Sequence, residues 1–167
     1  MNPDAHHPYH NLPWLERLTV HVPGYDESLR RGDRRTADRT LRRAIIHRLE
    51  GMHARLDEAV NQLLNREAPP SHVATLERIV GHIDRVIGRI RATDVRIESS
   101  YDEAKVGSEK AGFLHAFHLA LFEQAEALVR HFEEPDFHHD RLAHLEADLE
   151  ELERRLDEKA LIYQKLD

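Results

Sequence analysis

The chain has 167 residues, 33% charged and 40% hydrophobic, and no cysteine, which excludes disulfides, thiolate nucleophiles and cysteine-based zinc or iron-sulfur sites. A chain of this length can bury one ordinary core without a metal or disulfide staple. With 24 Lys and Arg against 31 Asp and Glu, the formal charge of -7 argues against a dedicated nucleic-acid binder unless the bases are segregated. They are partly segregated. Eight arginines lie between Ser28 and Arg48 against Asp33 and Asp38, whereas Glu133 to Asp167 holds twelve acids and five bases.

Residues 1–23 carry four of the seven prolines and His6, His7, His10 and His21, and read as an extended N-terminal arm anchored by Trp14. Pro23-Gly24 is a turn signal. The remainder, 24–167, reads as one helical unit. Leu41, Ile45, Leu49, Met52, Leu56, Val60 and Leu63 recur at spacings of three and four, predicting a helix over about residues 28–67 that stops before Pro69-Pro70. Ser71 is a natural N-cap for a second helix over about 71–98, with Val73, Leu76, Val80, Ile83, Ile87, Ile90 and Ile97 in heptad spacing. Ala74, Gly81, Gly88 and Val95 form a small-residue stripe beside it, expected where a partner backbone comes close.

The third helix, over about 108–134, is the most apolar. Phe113, Phe117, Leu121 and Phe122 cover more than one face, and such a surplus of apolar surface predicts an oligomer interface. Pro135 ends it. Leu142, Leu145, Leu149, Leu152 and Leu156 then open a last helix over about 136–166. No strand pattern competes, so the expected class is all-α: an elongated antiparallel four-helix bundle, or coiled-coil hairpins that complete each other across a dimer.

Pro23-Gly24-Tyr25, followed by Arg34-Arg35-Thr36-Ala37-Asp38-Arg39-Thr40-Leu41-Arg42, resembles the start of an uncharacterised prokaryotic all-helical family that opens with PGY and continues RR-x-AD-R-x-LR. Asp102-Glu103-Ala104-Lys105-Val106, with Leu114, Phe117 and Leu119-Ala120-Leu121, is similar to that family's D-x-x-KV segment and apolar third helix. His115 and His118 depart from it, standing where the family has a tyrosine and an acid. The resemblance implies no activity. It implies a cytoplasmic accessory of a membrane-associated assembly, by association with band-7 (SPFH) scaffold neighbours.

Three chemistries are open to the side chains. Glu50-Gly51-Met52-His53 has the Glu-x-x-His spacing of a di-iron carboxylate site, but no second copy exists and both residues flank the apolar stripe. His115 and His118 project from one side of the third helix with Glu123 a turn or two on; they are either structural histidines at a helix interface or, with Glu123, ligands of a divalent metal. Arg34, Arg35, Arg39, Arg42 and Arg43 can bind phosphates of nucleic acid or acidic lipid, or pair with the acids of the last helix, Glu146, Asp148, Glu150, Glu151, Glu153, Asp157 and Glu158. Nucleophile motifs and glycine-rich phosphate loops are absent. The residues show neither a basic-then-apolar leader nor a run of about 18 uncharged apolar residues, so cytoplasmic residence is expected. The best-supported expectation is a non-enzymatic helical scaffold with a protein partner, a homo-oligomer, with no cofactor expected, a divalent metal as the alternative ligand and nucleic acid an unfavoured partner.

Overall fold

The structure, a computed structural model, describes residues 13–31, 33–100, 119–130 and 139–164. Every element among them is an α-helix: α1 (Pro13–His21), α2 (Tyr25–Arg30), α3 (Arg34–Asn65), α4 (Pro70–Ser100), α5 (119–130) and α6 (His139–Gln164).

The arm is the first departure from the sequence reading. Residues 13–21 are helical, not extended, and Leu18 and Val22 are fully buried in the common core. Pro13 suits a first helical position, where its missing N–H is no loss, and Glu16 and His21 suit the two ends of the helix dipole. The signal was present: Leu18, Val22, Tyr25 and Leu29 are spaced four, three and four, and all four are buried. The proline and histidine content masked it. Residues 1–12 and the Trp14 side chain lie outside the described part of the molecule.

Between α1 and α2 the chain turns at Gly24, whose φ of 85° lies in the left-handed region that a side chain disfavours. A second break separates α2 from α3. Asp33 caps α3 by accepting from the Thr36 amide at 2.9 Å, so the long first helix starts at Arg34, while α2 stands apart as one short turn. At the far end Arg66 and Glu67 turn out of the helix ahead of Pro69. Pro70, not Ser71, then begins α4, and Ser71 lies within its first turn.

α3 and α4 run in opposite directions side by side. Glu50 meets Arg91, and His53, one turn later on α3, meets Asp84, two turns earlier on α4. α6 lies on another side of α4 and runs with it, since Arg78 meets Glu146 and Arg89 meets Asp157. Packing against two helices explains why the buried stripe of α4 is wider than one heptad seam. Besides the expected Leu76, Ile83, Ile87 and Ile90, the structure buries Ile79 and Val86, which form a second seam, and leaves Val80 only partly covered. α3 contributes Leu41, Ile45, Leu49, Met52 and Leu56, and α6 contributes Leu142, Leu145, Leu149 and Leu152, as the spacing predicts.

Two expectations about contacts fail. A Cβ at Gly88 would meet nothing within 4 Å, and one at Gly81 only the end of Arg85 at 3.9 Å, so among the described residues no neighbouring backbone packs closely on the small-residue stripe there. Leu121 and Phe122, expected at an oligomer interface, are 0% and 2% exposed and belong to the chain's own core. With α1 folded as a helix, there is more apolar surface within the chain to cover α5 than four helices would supply. Phe113 and Phe117 lie outside the described residues.

Candidate functional site

The arginine-rich start of α3 is a strongly basic stretch of the sequence, and the structure divides it. The helix opens at Arg34, whose side chain lies outside the described part of the molecule, and the dipole there disfavours cations. Asp33 offsets this: its carboxylate caps the helix, and the Thr36 hydroxyl and amide hold it below the usual carboxylate range, with Arg39 and Arg35 nearby acting in the same sense. Arg42 is not on the surface. Its side chain is 4% exposed and its Nε lies 2.7 Å from Oδ2 of Asp38, itself fully buried, so this ion pair belongs to the interior. Arg42 is therefore out of reach of an external anion. Arg35 and Arg43 are exposed and Arg39 is half-buried, with His47 exposed a turn further on.

Glu146, Glu153 and Asp157 of α6 meet α4 rather than this face. They face α4, because among the described residues it is α4 that lies against α6. Glu146 accepts from Arg78, and that contact holds its carboxyl below the usual range. Glu153 lies 2.9 Å from Nε2 of His82 and also meets Arg89. Burial pushes the Glu153 carboxyl up, but the His82 and Arg89 contacts outweigh it and the net shift is downward. Asp157 meets the same Arg89. Glu151 and Glu158 pair with Arg154 within α6, and the Arg154 and Arg155 guanidinium groups take Glu151 down to about 2.

A third cluster surrounds Arg48. Its guanidinium stacks on the Phe122 ring, 4.6 Å from the centroid, pairs with Glu126 and donates from Nη2 to the His21 carbonyl at 3.2 Å. Burial pushes its pKa down. One side chain thus joins α1, α3 and α5. Sequence reading missed it because Arg48 sits last in an arginine run whose other members face elsewhere.

Of the metal candidates, His115 and His118 lie outside the described residues. Glu123 is exposed and meets Nη1 of Arg17 at 2.7 Å. Glu50 and His53 do not converge. Glu50 pairs with Arg91 at 2.6 Å, while His53 has Asp57 at 3.1 Å from Nδ1 and Asp84 at 3.2 Å from Nε2, on opposite sides of its ring. Among the described residues no group of three or more His, Asp or Glu side chains could hold a metal ion, and no helix is long and apolar enough to cross a membrane.

No family model, curated protein or solved structure gives a match to this chain.

Proposed function

We propose that this chain is a non-enzymatic helical interaction or scaffold protein that works as a homo-oligomer. The observation that carries the reading is the use made of its ionisable side chains. His53 and Glu50 tie α3 to α4, Arg78, His82 and Arg89 tie α4 to α6, and Arg48 and Arg17 tie α3 and α1 to α5. These groups hold helices in register, a role suited to presenting long rigid surfaces. The opposed α3 and α4 support the antiparallel hairpin of an elongated four-helix bundle built from α3 to α6, with α1 and α2 packed at one end. The PGY and D-x-x-KV blocks support a cytoplasmic accessory of a membrane-associated assembly.

Native mass spectrometry of untagged protein, purified without chelator or added metal, tests this. A bare multiple of 19.5 kDa, two or more chains, is expected. A monomer overturns the homo-oligomer. A reproducible mass excess of one or two metal ions per chain overturns the scaffold reading in favour of a metal centre using His115 and His118.

A further inference from the structure

His53 is held from both sides. Its Nδ1 lies 3.1 Å from the carboxylate of Asp57, one turn on in α3, and its Nε2 lies 3.2 Å from the carboxylate of Asp84 on α4. A carboxylate only accepts, so each contact needs a proton on the ring nitrogen that faces it. A neutral imidazole carries one such proton and turns a lone pair towards the other carboxylate, whereas the imidazolium carries both. The two contacts are satisfied together only by the charged ring. That ring is 27% exposed, so it exchanges protons with solvent while the helices stay packed.

The other charges around it do not remove this requirement. Glu50 and Arg91 pair with each other a turn away. α5 meets α3 through Glu126 and Arg48, five residues back along α3, and in α2 Asp26 pairs with Arg30 and Glu27 with Arg31. His82 is the contrast. It stands two residues before Asp84 on α4 and faces the opposite neighbour, with Nε2 2.9 Å from Glu153 of α6, which also meets Arg89; Glu146, paired with Arg78, is the next acid along. There one carboxylate meets one ring nitrogen, a contact that a neutral ring makes as well.

We infer that His53 is a proton-operated clasp between α3 and α4, closed by the imidazolium and reduced to one contact when the ring loses a proton. Histidine is the side chain that ordinarily changes charge between about pH 5 and 8, so the clasp answers changes of acidity that leave carboxylates ionised. The two helices are joined most firmly in mildly acid solution, about pH 5 to 6, and less firmly above neutrality. This goes beyond the interaction-protein reading and does not depend on it.

The test is a double-mutant cycle in thermal melts of the full chain, with His53→Gln, Asp84→Asn and the two together, at about pH 5.5 and about pH 8. The chain has 14 histidines, so variants are compared with wild type at the same pH. His53→Gln should lower the melting temperature by about 2 °C more at the lower pH than at the higher, in line with partly exposed pairs in a chain of this size. His53 and Asp84 should be coupled at the lower pH, each substitution costing less once the other is made, and the coupling should vanish at the higher pH and weaken with added salt. Equal losses at the two pH values, or additive losses at both, overturn the inference, because a ring that only packs behaves in that way. A pH dependence that disappears in His82→Gln and persists in His53→Gln overturns it too, since the sensitive contact would then be the one to α6.

Discussion

Asp33 stands at the start of a 32-residue helix that begins with two arginines, and its capping bonds offset an unfavourable first turn. Asp33→Ala should lower stability by about 1 kcal/mol in chemical denaturation, and Asp33→Asn, which keeps a capping oxygen, by much less. The sign of the pH dependence follows from the direction of its shift. A carboxyl held below its ordinary value stabilises the fold above the unfolded pKa, near 3.8, and that contribution is lost as pH falls through the lower folded value. Over that window the wild type should lose its advantage over Asp33→Ala. Asp38 and Arg42 pose a different problem, because both are buried. Arg42→Met leaves a carboxylate in the interior without its guanidinium and should cost about 3 kcal/mol, and a double-mutant cycle with Asp38→Asn should show coupling above about 1 kcal/mol. In the sequence the pair was hidden. Arg42 looked like one more member of a basic run, and only the folding of α1 and α2, with Leu18, Val22 and Tyr25 buried in the common core, adds cover to that end of the chain.

The helices themselves were legible wherever one face meets the core. Three- and four-residue spacing located α3 and α6 and most of the buried positions of α4, because burial on one side of a helix leaves that period in the chain. It was less informative where α4 meets two neighbours, since Ile79 and Val86 belong to a second seam that a single heptad does not include. The glycines of α4 misled for a related reason: a small residue on a helix suggests close packing, yet the space around Gly88 is open. Gly88→Ala should therefore stabilise the protein by about 1 kcal/mol, read as a raised melting temperature. A loss of stability would mean that another backbone does approach that stripe in solution.

Taken as a whole, the molecule separates its charges along the sequence and then recombines them between neighbouring helices. The sequence suggested that the first and last long helices neutralise each other. In the fold α4 lies against both α3 and α6, and Glu146, Glu153 and Asp157 of α6 meet Arg78, His82 and Arg89 of α4. Glu146 and Glu153 both have lowered pKa values, so their contributions are complete above the ordinary carboxylate value, near 4.5, and fade as pH falls through the folded values. Acid titration followed by circular dichroism should show the helical fold weakening below about pH 4.5, less steeply in a Glu146→Gln variant. The candidate site was the least legible part, because which charges pair depends on which helices are neighbours, and heptad spacing does not encode that.

Arg48 bears on the order in which the molecule comes apart. A helix of nine residues is too short to persist alone in water, so α1 depends on what it touches, and part of that contact is a guanidinium shared with α5. Whatever frees one of these helices removes support from the other. The amides of α1 and α5 should therefore exchange with deuterium as one cooperative unit, ahead of α3 and α4, and Arg48→Ala should quicken both together while leaving the α3 and α4 hairpin protected.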